Sequence, residues 1–591
     1  EVGNRIAVTD AKGQEIRYQY SPANRLALEQ HFAATDLINP VKTISYSYDA
    51  VGRLTGYDDG ITSGSYGYDA VGRQISSSTD YGSFTLTTAY SYDANGQKAS
   101  FTGPDGLIYR YHYDAANRLS AIELPNGERV TYNGYDWNSP NAVTLPGGSR
   151  IQYQYDALQR VTEIRSTDPI QDTLMDYRYE RSPAGSITAK LTEHGDYQYQ
   201  YDLLDRLIGA DNPSLDDESY SYDPLGNRKT SANVAGEWQY DLNNRLLVYG
   251  NQSFQYDDNG NQIEHQTGSS SRHFVYDIKD RLIRVEDQNG STVAEYYYDP
   301  FGRRLWKQVG GTRTHFAYAD EGLVGEFDAN GNVIKTYGYQ PGSLWTTNPV
   351  FQHVNGQYYW YQNDHLATAQ KLITNNGVVV WAGQQEVFGK MHVQITGIEN
   401  NLRFPGQYWD GETGLHYNYF RDYDPRIGRY IENDPIGLVG GTNLYLYGFN
   451  NPASLFDPEG KIAPLVLLGY GVVGAIAYLA PVITGGVIGG EIIKDSGAHD
   501  NRNLFNEAPP IDCPNEGCEW ERQPFRKSLF HEPFKNIKYL EKCNGKYTGR
   551  EKVVDINTGE EKPWPGVGGS FNYGEEPVSW EHIFFDIYPG L

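Results

Sequence analysis

Short runs in which aromatic residues alternate with polar ones recur along roughly the first 340 residues, and most of them end in Asp. Clear copies are Tyr46-Ser47-Tyr48-Asp49 followed by Gly52-Arg53, and Tyr66-Gly67-Tyr68-Asp69 followed by Gly72-Arg73. The same form returns as Tyr111-His112-Tyr113-Asp114 with Asn117-Arg118, and as Tyr153-Gln154-Tyr155-Asp156 with Arg160. Later copies end at Asp202, Asp223, Asp241, Asp257, Asp277 and Asp299. Most neighbours lie about 16 to 24 residues apart, which is a repeat period. Alternation with a period of two predicts strands, so the two Tyr rings of each copy point to one face. Asp then opens a turn by accepting backbone N–H groups. Gly or Asn near its end tolerates a left-handed backbone, and Arg with an apolar residue starts the return strand. Each unit is therefore a β-hairpin, barely stable alone. Stacked units share a sheet and bury their aromatic rows against each other.

Composition agrees with this pattern. There are 50 Tyr and 64 Gly but only 2 Met, which suits strands and turns. A formal charge of −26 excludes nucleic-acid binding by the bulk electrostatics of the shell. Three Cys in 591 residues exclude a disulfide framework. Tyr, Asp and Arg at so many equivalent positions read as structure, not as a carbohydrate or metal site. Residues 1–10 are polar and carry no secretion signal. Val2-Gly3-Asn4-Arg5 reads as the end of a repeat unit, so an upstream N-terminal region, or a cleavage at this boundary, is expected.

The pattern resembles the YD repeats of Rhs proteins, teneurins and the C components of Tc toxins. The resemblance implies a mainly β fold: a spiralling YD-repeat β-hairpin shell, a hollow cocoon around a toxic polypeptide, with a short mixed C-terminal toxin segment. The repeats are expected over residues 1–349.

Beyond them, residues 350–461 form a denser segment. It contains Tyr361-Gln362-Asn363-Asp364-His365-Leu366, Arg403-Phe404-Pro405-Gly406-Gln407-Tyr408, Gly414-Leu415-His416-Tyr417-Asn418 and Arg421-Asp422-Tyr423-Asp424-Pro425. It runs on through Gly428-Arg429-Tyr430-Ile431-Glu432-Asn433-Asp434-Pro435-Ile436-Gly437-Leu438 to Asp457-Pro458-Glu459-Gly460-Lys461. This segment is similar to the Rhs core-associated domain. Its two Asp-Pro-x-Gly units, at Asp434 and Asp457, read from spacing alone as turns, with Asp first, Pro second and Gly fourth. The resemblance implies more: an aspartic-protease-like pair that cuts the chain after the second motif. Two carboxylates held close share a proton, so one activates water while the other polarises the scissile carbonyl. Arg429 is the candidate for orienting or charge-balancing the pair. The chain departs from the resembled pattern at Lys461, where Leu is usual, which changes the pocket for the residue before the cut. Cleavage is expected between Lys461 and Ile462.

The remaining residues are the expected payload. A hydrophobic pre-toxin segment is expected at residues 462–494, of which 462–490 carry no charge, a length that permits one membrane span or a short hairpin broken near Pro481. Three readings stand side by side: a helper for crossing a membrane, a pore-forming element, or a segment buried against the shell. Gly469, Gly471 and Gly474 form no dinucleotide fingerprint, because no strand precedes them. Residues 495–591 hold Cys513, Cys518 and Cys543, with His531 between the last two. Four such ligands suit zinc, but the wide Cys513–Cys518 spacing argues against it, so no metal or cofactor is expected. The candidate toxin residues are His531, Glu532, His582 and Asp586; the last two would share a helix face, as a base, a metal site or a plain surface pair. Strand-like stretches are expected around Lys552-Val553-Val554-Asp555 and Gly569-Ser570-Phe571. Lys535, Lys538, Lys542, Lys546, Arg550 and Lys552 read as a solvated basic face.

Two payload classes follow: an enzyme acting in a target cytosol, such as a nuclease, or a membrane-active lesion former. A nontoxic contact protein and a Tc-toxin C component are the further alternatives. The resemblance implies a protein made in the bacterial cytoplasm, then secreted or injected into a target cell. Its partners would be a type VI spike or adaptor protein and a cognate immunity protein.

Overall fold

The computed structural model describes residues 3–461 and four later strands, Cys518–Arg522, Asn536–Cys543, Lys546–Asp555 and Glu561–Lys562. The chain divides into two compact units, residues 1–498 and 499–591.

The first unit is built from antiparallel strands, each paired with its neighbours in sequence. A 21-stranded sheet extends from Ala7 to Ser231 and a 16-stranded sheet from Gln239 to Thr396. The second sheet has no break at residue 349: the strands Pro349–Val354, Gln357–Asn363, Ala369–Ile373, Val379–Gln385 and Met391–Thr396 continue its ladder. No α-helix occurs among the described residues; the helical turns are two short 3-10 segments, Gly437–Val439 and Gly448–Asn450.

One repeat shows why the motif recurs. Oδ1 of Asp49 accepts the backbone N–H groups of Val51 (3.1 Å) and Arg53 (2.9 Å), and Oδ2 takes Nε of Arg53 at 2.6 Å. Gly52 closes the turn at φ +93°, a left-handed conformation that side chains resist. Arg53 also donates to the backbone carbonyl of Asp69 in the next unit, at 3.2 Å, and its guanidinium lies 4.8 Å from the ring centroid of Tyr68. Tyr68 in turn donates its hydroxyl to the carbonyl of Leu54, at 2.8 Å. Arg53 thus ties its own turn to the next Asp and the next Tyr, which is nearest-neighbour coupling between repeats. Arg206, Asp223 and Tyr222 repeat the set, as do Arg281, Asp299 and Tyr298.

The second Tyr of each unit sits where the register slips, between Ser47 and Tyr48, Gly67 and Tyr68, or Gln154 and Tyr155. The extra residue, Thr55 in the first of these, lies on the return strand, so both rings of the unit keep to one core: Tyr46 is buried in it, while Tyr48 packs against it half-buried.

The two large sheets share a core. The rings of Tyr109 and Phe351 lie 5.2 Å apart, Tyr81 donates to the carbonyl of Phe316 at 2.7 Å, and Lys98 pairs with Glu321 at 2.7 Å.

A four-stranded sheet, Tyr408–Asp410, Leu415–Asn418, Arg421–Asp424 and Arg429–Tyr430, begins the C-terminal part of the first unit. Its anchor is Arg304, buried and paired with both carboxylate oxygens of Asp410 at 2.5 and 2.9 Å. The following loops seat on the turns of earlier repeats. Asn443 donates to Asn227 at 2.7 Å, Asn450 to the carbonyl of Gly226 at 2.8 Å, and Tyr445 to the carbonyl of Gly260 at 2.8 Å. At Asn227 and Asn261 the repeat carries Asn where its relatives in the chain carry Arg. The shorter amide leaves room for this docking.

The second unit is described by one four-stranded antiparallel sheet, in which Lys546–Asp555 contains the strand expected around Lys552. Gly569 and its neighbours lie outside the described residues.

Candidate functional site

Strands Arg421–Asp424 and Arg429–Tyr430 pair with Tyr423 opposite Tyr430 and Asp424 opposite Arg429. Successive side chains face opposite ways, so Arg421, Tyr423 and Tyr430 share one face and Arg429 takes the other. The loops carrying Asp434 and Asp457 close over the first face. Two close backbone approaches allow it: a Cβ on Gly406 would lie 1.9 Å from the carbonyl oxygen of Pro458, and one on Gly460 would lie 2.6 Å from that of Asn418.

The two aspartates meet at one nitrogen. Nη2 of Arg421 stands 3.1 Å from Oδ2 of Asp434 and 3.2 Å from Oδ2 of Asp457. The rest of that guanidinium holds the chain beside the second aspartate, with Nε donating to the carbonyl of Gly460 at 2.6 Å and Nη1 to that of Leu444 at 2.9 Å. Its carbon lies 3.5 Å from the ring centroid of Tyr430. The Tyr430 hydroxyl donates to Oδ2 of Asp457 at 3.0 Å, and Asn418 steadies that hydroxyl at 2.7 Å.

Both aspartates also cap the turns their motifs predict. Oδ1 of Asp434 accepts the N–H of Ile436 at 3.0 Å. Oδ1 of Asp457 accepts from Glu459, Gly460 and Lys461 at 3.3, 2.9 and 3.2 Å. Turn and carboxylate pair are thus one arrangement, since each group uses one oxygen for each purpose. Burial pushes the Asp434 carboxyl up to about 6, with Arg421 pulling against it.

Arg429 does not reach the pair. It donates to Asn227 at 3.0 Å and to the carbonyl of Asn244 at 2.5 Å, fixing the segment to the repeat turns. The charge-balancing position expected for it belongs to Arg421, because strand parity turns residue 429 to the opposite face. Tyr430 and Asn418 were likewise not singled out by sequence. A second carboxyl pair, also unforeseen, lies beside Arg421. The N–H of Asp422 donates to Glu432 at 2.8 Å, and burial raises Asp422 to about 7 and Glu432 well above the usual range.

Lys461 is the last residue described before the payload. Its ammonium lies 3.1 Å from the ring centroid of Phe420. Burial lowers it to about 8, against the nearby Glu459. Ile462, Cys513, His531, Glu532, His582 and Asp586 lie outside the described residues. Cys518 and Cys543 are direct backbone partners across their strands. Among the described residues no cluster of His, Cys, Asp or Glu is arranged to hold a metal, and no helix is long and apolar enough to cross a membrane. The uncharged run at 462–490 is outside them.

Comparison with known proteins places the repeat shell in a family. The family model described as Teneurin YD-shell matches residues 1–203 and 185–453. The chain is 31% identical over 363 residues to a protein named double-stranded DNA deaminase toxin A from Burkholderia cenocepacia, covering 54% of this chain and 24% of that protein. It is 26% identical over 449 residues to a probable deoxyribonuclease, RhsA, from Dickeya dadantii, covering 70% and 29%. Among solved structures, the Photorhabdus luminescens Tc holotoxin pore matches with a TM-score of 0.65 at 18% identity, over 78% of this chain and 27% of that one. The chain thus spans less than a third of the length of these proteins, and the last likeness is one of fold. With the family model matching most of its length and the repeat β-shell formed by its strands, the chain belongs to the Rhs/YD-repeat family and carries a teneurin-type YD shell.

Proposed function

We propose that this chain is the enclosing part of a toxin, which cuts its own backbone once between Lys461 and Ile462 and frees residues 462–591 as the payload. The observation that carries the reading is the grip of Arg421, which contacts Asp434, Asp457 and the carbonyl of Gly460 together. One cation thereby brings both carboxylates to the peptide segment to be cut.

The chemistry follows from the surroundings of each group. Asp457 accepts from Tyr430, Arg421 and three backbone N–H groups, and it is assigned the part of the base. Asp434, raised by burial, is the partner that keeps a proton. Asp457 takes a proton from water as the water oxygen bonds to the carbonyl carbon of Lys461, and Asp434 gives its proton to the carbonyl oxygen. Collapse of the tetrahedral intermediate returns that proton to Asp434 and breaks the C–N bond. The proton held by Asp457 passes to the departing amine of Ile462. Enzyme and substrate are one chain, so proximity is supplied by the fold and a single turnover suffices.

The names of two relatives, a deaminase toxin and a probable deoxyribonuclease, support a toxic payload behind a shared shell. The uncharged run at 462–490, ahead of a polar domain, supports an entry segment followed by an acting domain. Delivery by a type VI spike or adaptor, enclosure of the payload in a hollow shell, and a cognate immunity protein complete the proposal. Intact-mass measurement of the purified chain tests its core. Two fragments meeting at Lys461 and Ile462 are expected from the wild type, and one whole chain from Asp434→Asn and from Asp457→Asn. Cutting that persists in both variants would remove the two aspartates from the reaction. Expression of 462–591 and 495–591 in bacterial cells, read by growth and membrane potential, separates the payload classes. Killing by the shorter segment without depolarisation supports an enzyme.

A further inference from the structure

Residue 461 is where this chain departs from the resembled pattern, with Lys in place of Leu. A charge next to the bond to be cut must be accommodated close to a largely buried acid pair. The structure shows how the segment is held. The N–H of Phe420 donates to the carbonyl of Glu459 at 3.2 Å, and the neighbouring Arg421 takes the carbonyl of Gly460 at 2.6 Å. The Lys461 N–H donates to Asp457 at 3.2 Å. Residues 420 and 421 therefore grip Glu459 and Gly460 in order, and Asp457 holds the backbone of Lys461. At the end of that grip, the Lys461 ammonium lies over the face of Phe420, 3.1 Å from the ring centroid. The ring has little freedom to move away. It lies against the tilted ring of Tyr419 with centroids 3.9 Å apart, and Gly302 lies so close that a Cβ there would come within 2.8 Å of it.

We infer that Phe420 is a specificity-determining positioning residue for self-cleavage, whose aromatic face seats the cation of Lys461. This rests on the proposed self-cleavage. An aliphatic side chain before the cut asks only for an apolar wall. A lysine needs a surface that attracts a cation at the end of its side chain, and an aromatic face does this beside the nearby Glu459. The site of this chain is accordingly matched to Lys or Arg at residue 461.

A pulse–chase of the full chain in cell-free translation, with fragments identified by mass, tests the inference. Phe420→Leu is expected to slow cutting by about threefold to thirtyfold, the range that a cation–π contact supports. Phe420→Tyr restores the aromatic face and recovers the rate. In a Lys461→Leu background, Phe420→Leu changes the rate by less than about twofold, since no cation remains to be seated. Equal slowing in both backgrounds overturns the inference, because it marks Phe420 as mere packing. Should Phe420→Leu fail to fold, Lys461→Arg and Lys461→Met decide: the Arg chain cuts faster than the Met chain if the seat is real, and equal rates overturn it. A wild-type chain that stays whole contradicts the self-cleavage itself. The seat is then read by amine acylation of the full chain, in which Lys461 reacts more slowly than Lys390 if it lies on the ring. Equal reaction overturns the seat as well.

Discussion

Nη2 of Arg421 lies 3.2 Å from Oδ2 of Asp457 in a site where both side chains are almost wholly buried. The same nitrogen reaches Asp434 at 3.1 Å, so one cation stands against both carboxyl groups, which repel when both are ionised. Replacing it by the apolar Arg421→Met leaves the pair uncompensated. The expected result is a chain that stays whole and loses about 3–5 kcal/mol of stability, as for breaking a buried ion pair. Urea unfolding and intact mass check the two parts separately.

Arg429 supplies the contrast. Its guanidinium ties Asn227 and Asn244 to the C-terminal segment and does not touch the acid pair. Arg429→Met should cost about 1.5–3 kcal/mol, the worth of a charge-assisted hydrogen bond, while cutting at the same bond continues. A whole Arg429→Met chain with an unchanged unfolding midpoint would reverse the assignment of the two arginines.

The acid pair also sets a pH dependence. Asp434 is raised from 3.8 to about 6, chiefly by burial. The protonated carboxyl serves the reaction, so the cutting rate should fall as pH rises through about 6. Stability has the same sign: the contribution of this group is complete below 3.8 and is lost as pH rises through about 6. Asp434→Asn removes that loss, so its unfolding midpoint should vary less than that of the wild type between pH 4 and 7, about the window set by the two values.

A third arginine holds the segment as a whole. Arg304 is buried with both oxygens of Asp410 on its fork, and Lys307 adds a contact to Asp410 at 3.0 Å. Asp410→Ala strands the buried Arg304, while Lys307 keeps Glu412 at 3.1 Å, and should destabilise the first unit by about 3–5 kcal/mol. Denaturant titration with tryptophan fluorescence gives the shift. A midpoint unchanged from wild type would contradict the anchoring role.

The repeats were legible because their chemistry is local: Tyr-x-Tyr, Asp and Arg lie within one hairpin, and each piece has its own physical reason. The same turn also occurs where that chemistry is missing. Leu124 and Leu145 open turns with the same backbone bonds, from Leu124 N–H to Glu128 and from Leu145 N–H to Ser149, with Gly127 and Gly148 left-handed. Without Asp they fall outside the Tyr-Asp-Arg pattern, and only Pro125-Asn126-Gly127 and Pro146-Gly147-Gly148 mark them as turns. The acid pair was legible only through resemblance, since spacing alone gives two turns, and both turns are present. Arg421 escaped notice because it lies 36 residues from Asp457 and meets it through loop closure. Arg429 drew attention by nearness to Asp434 in sequence, where the alternation of a strand decides the direction of a side chain.

The most direct measurement is the time course of intact mass for the full chain at about pH 5, where Asp434 keeps its proton, at two protein concentrations tenfold apart. A trypsin-like contaminant would also cut after Lys461, so the order of the reaction matters. A first-order cut between Lys461 and Ile462 is expected, with the same rate constant at both concentrations and none in Asp434→Asn or Asp457→Asn. A rate that scales with concentration, or a cut that survives in both variants, would contradict it.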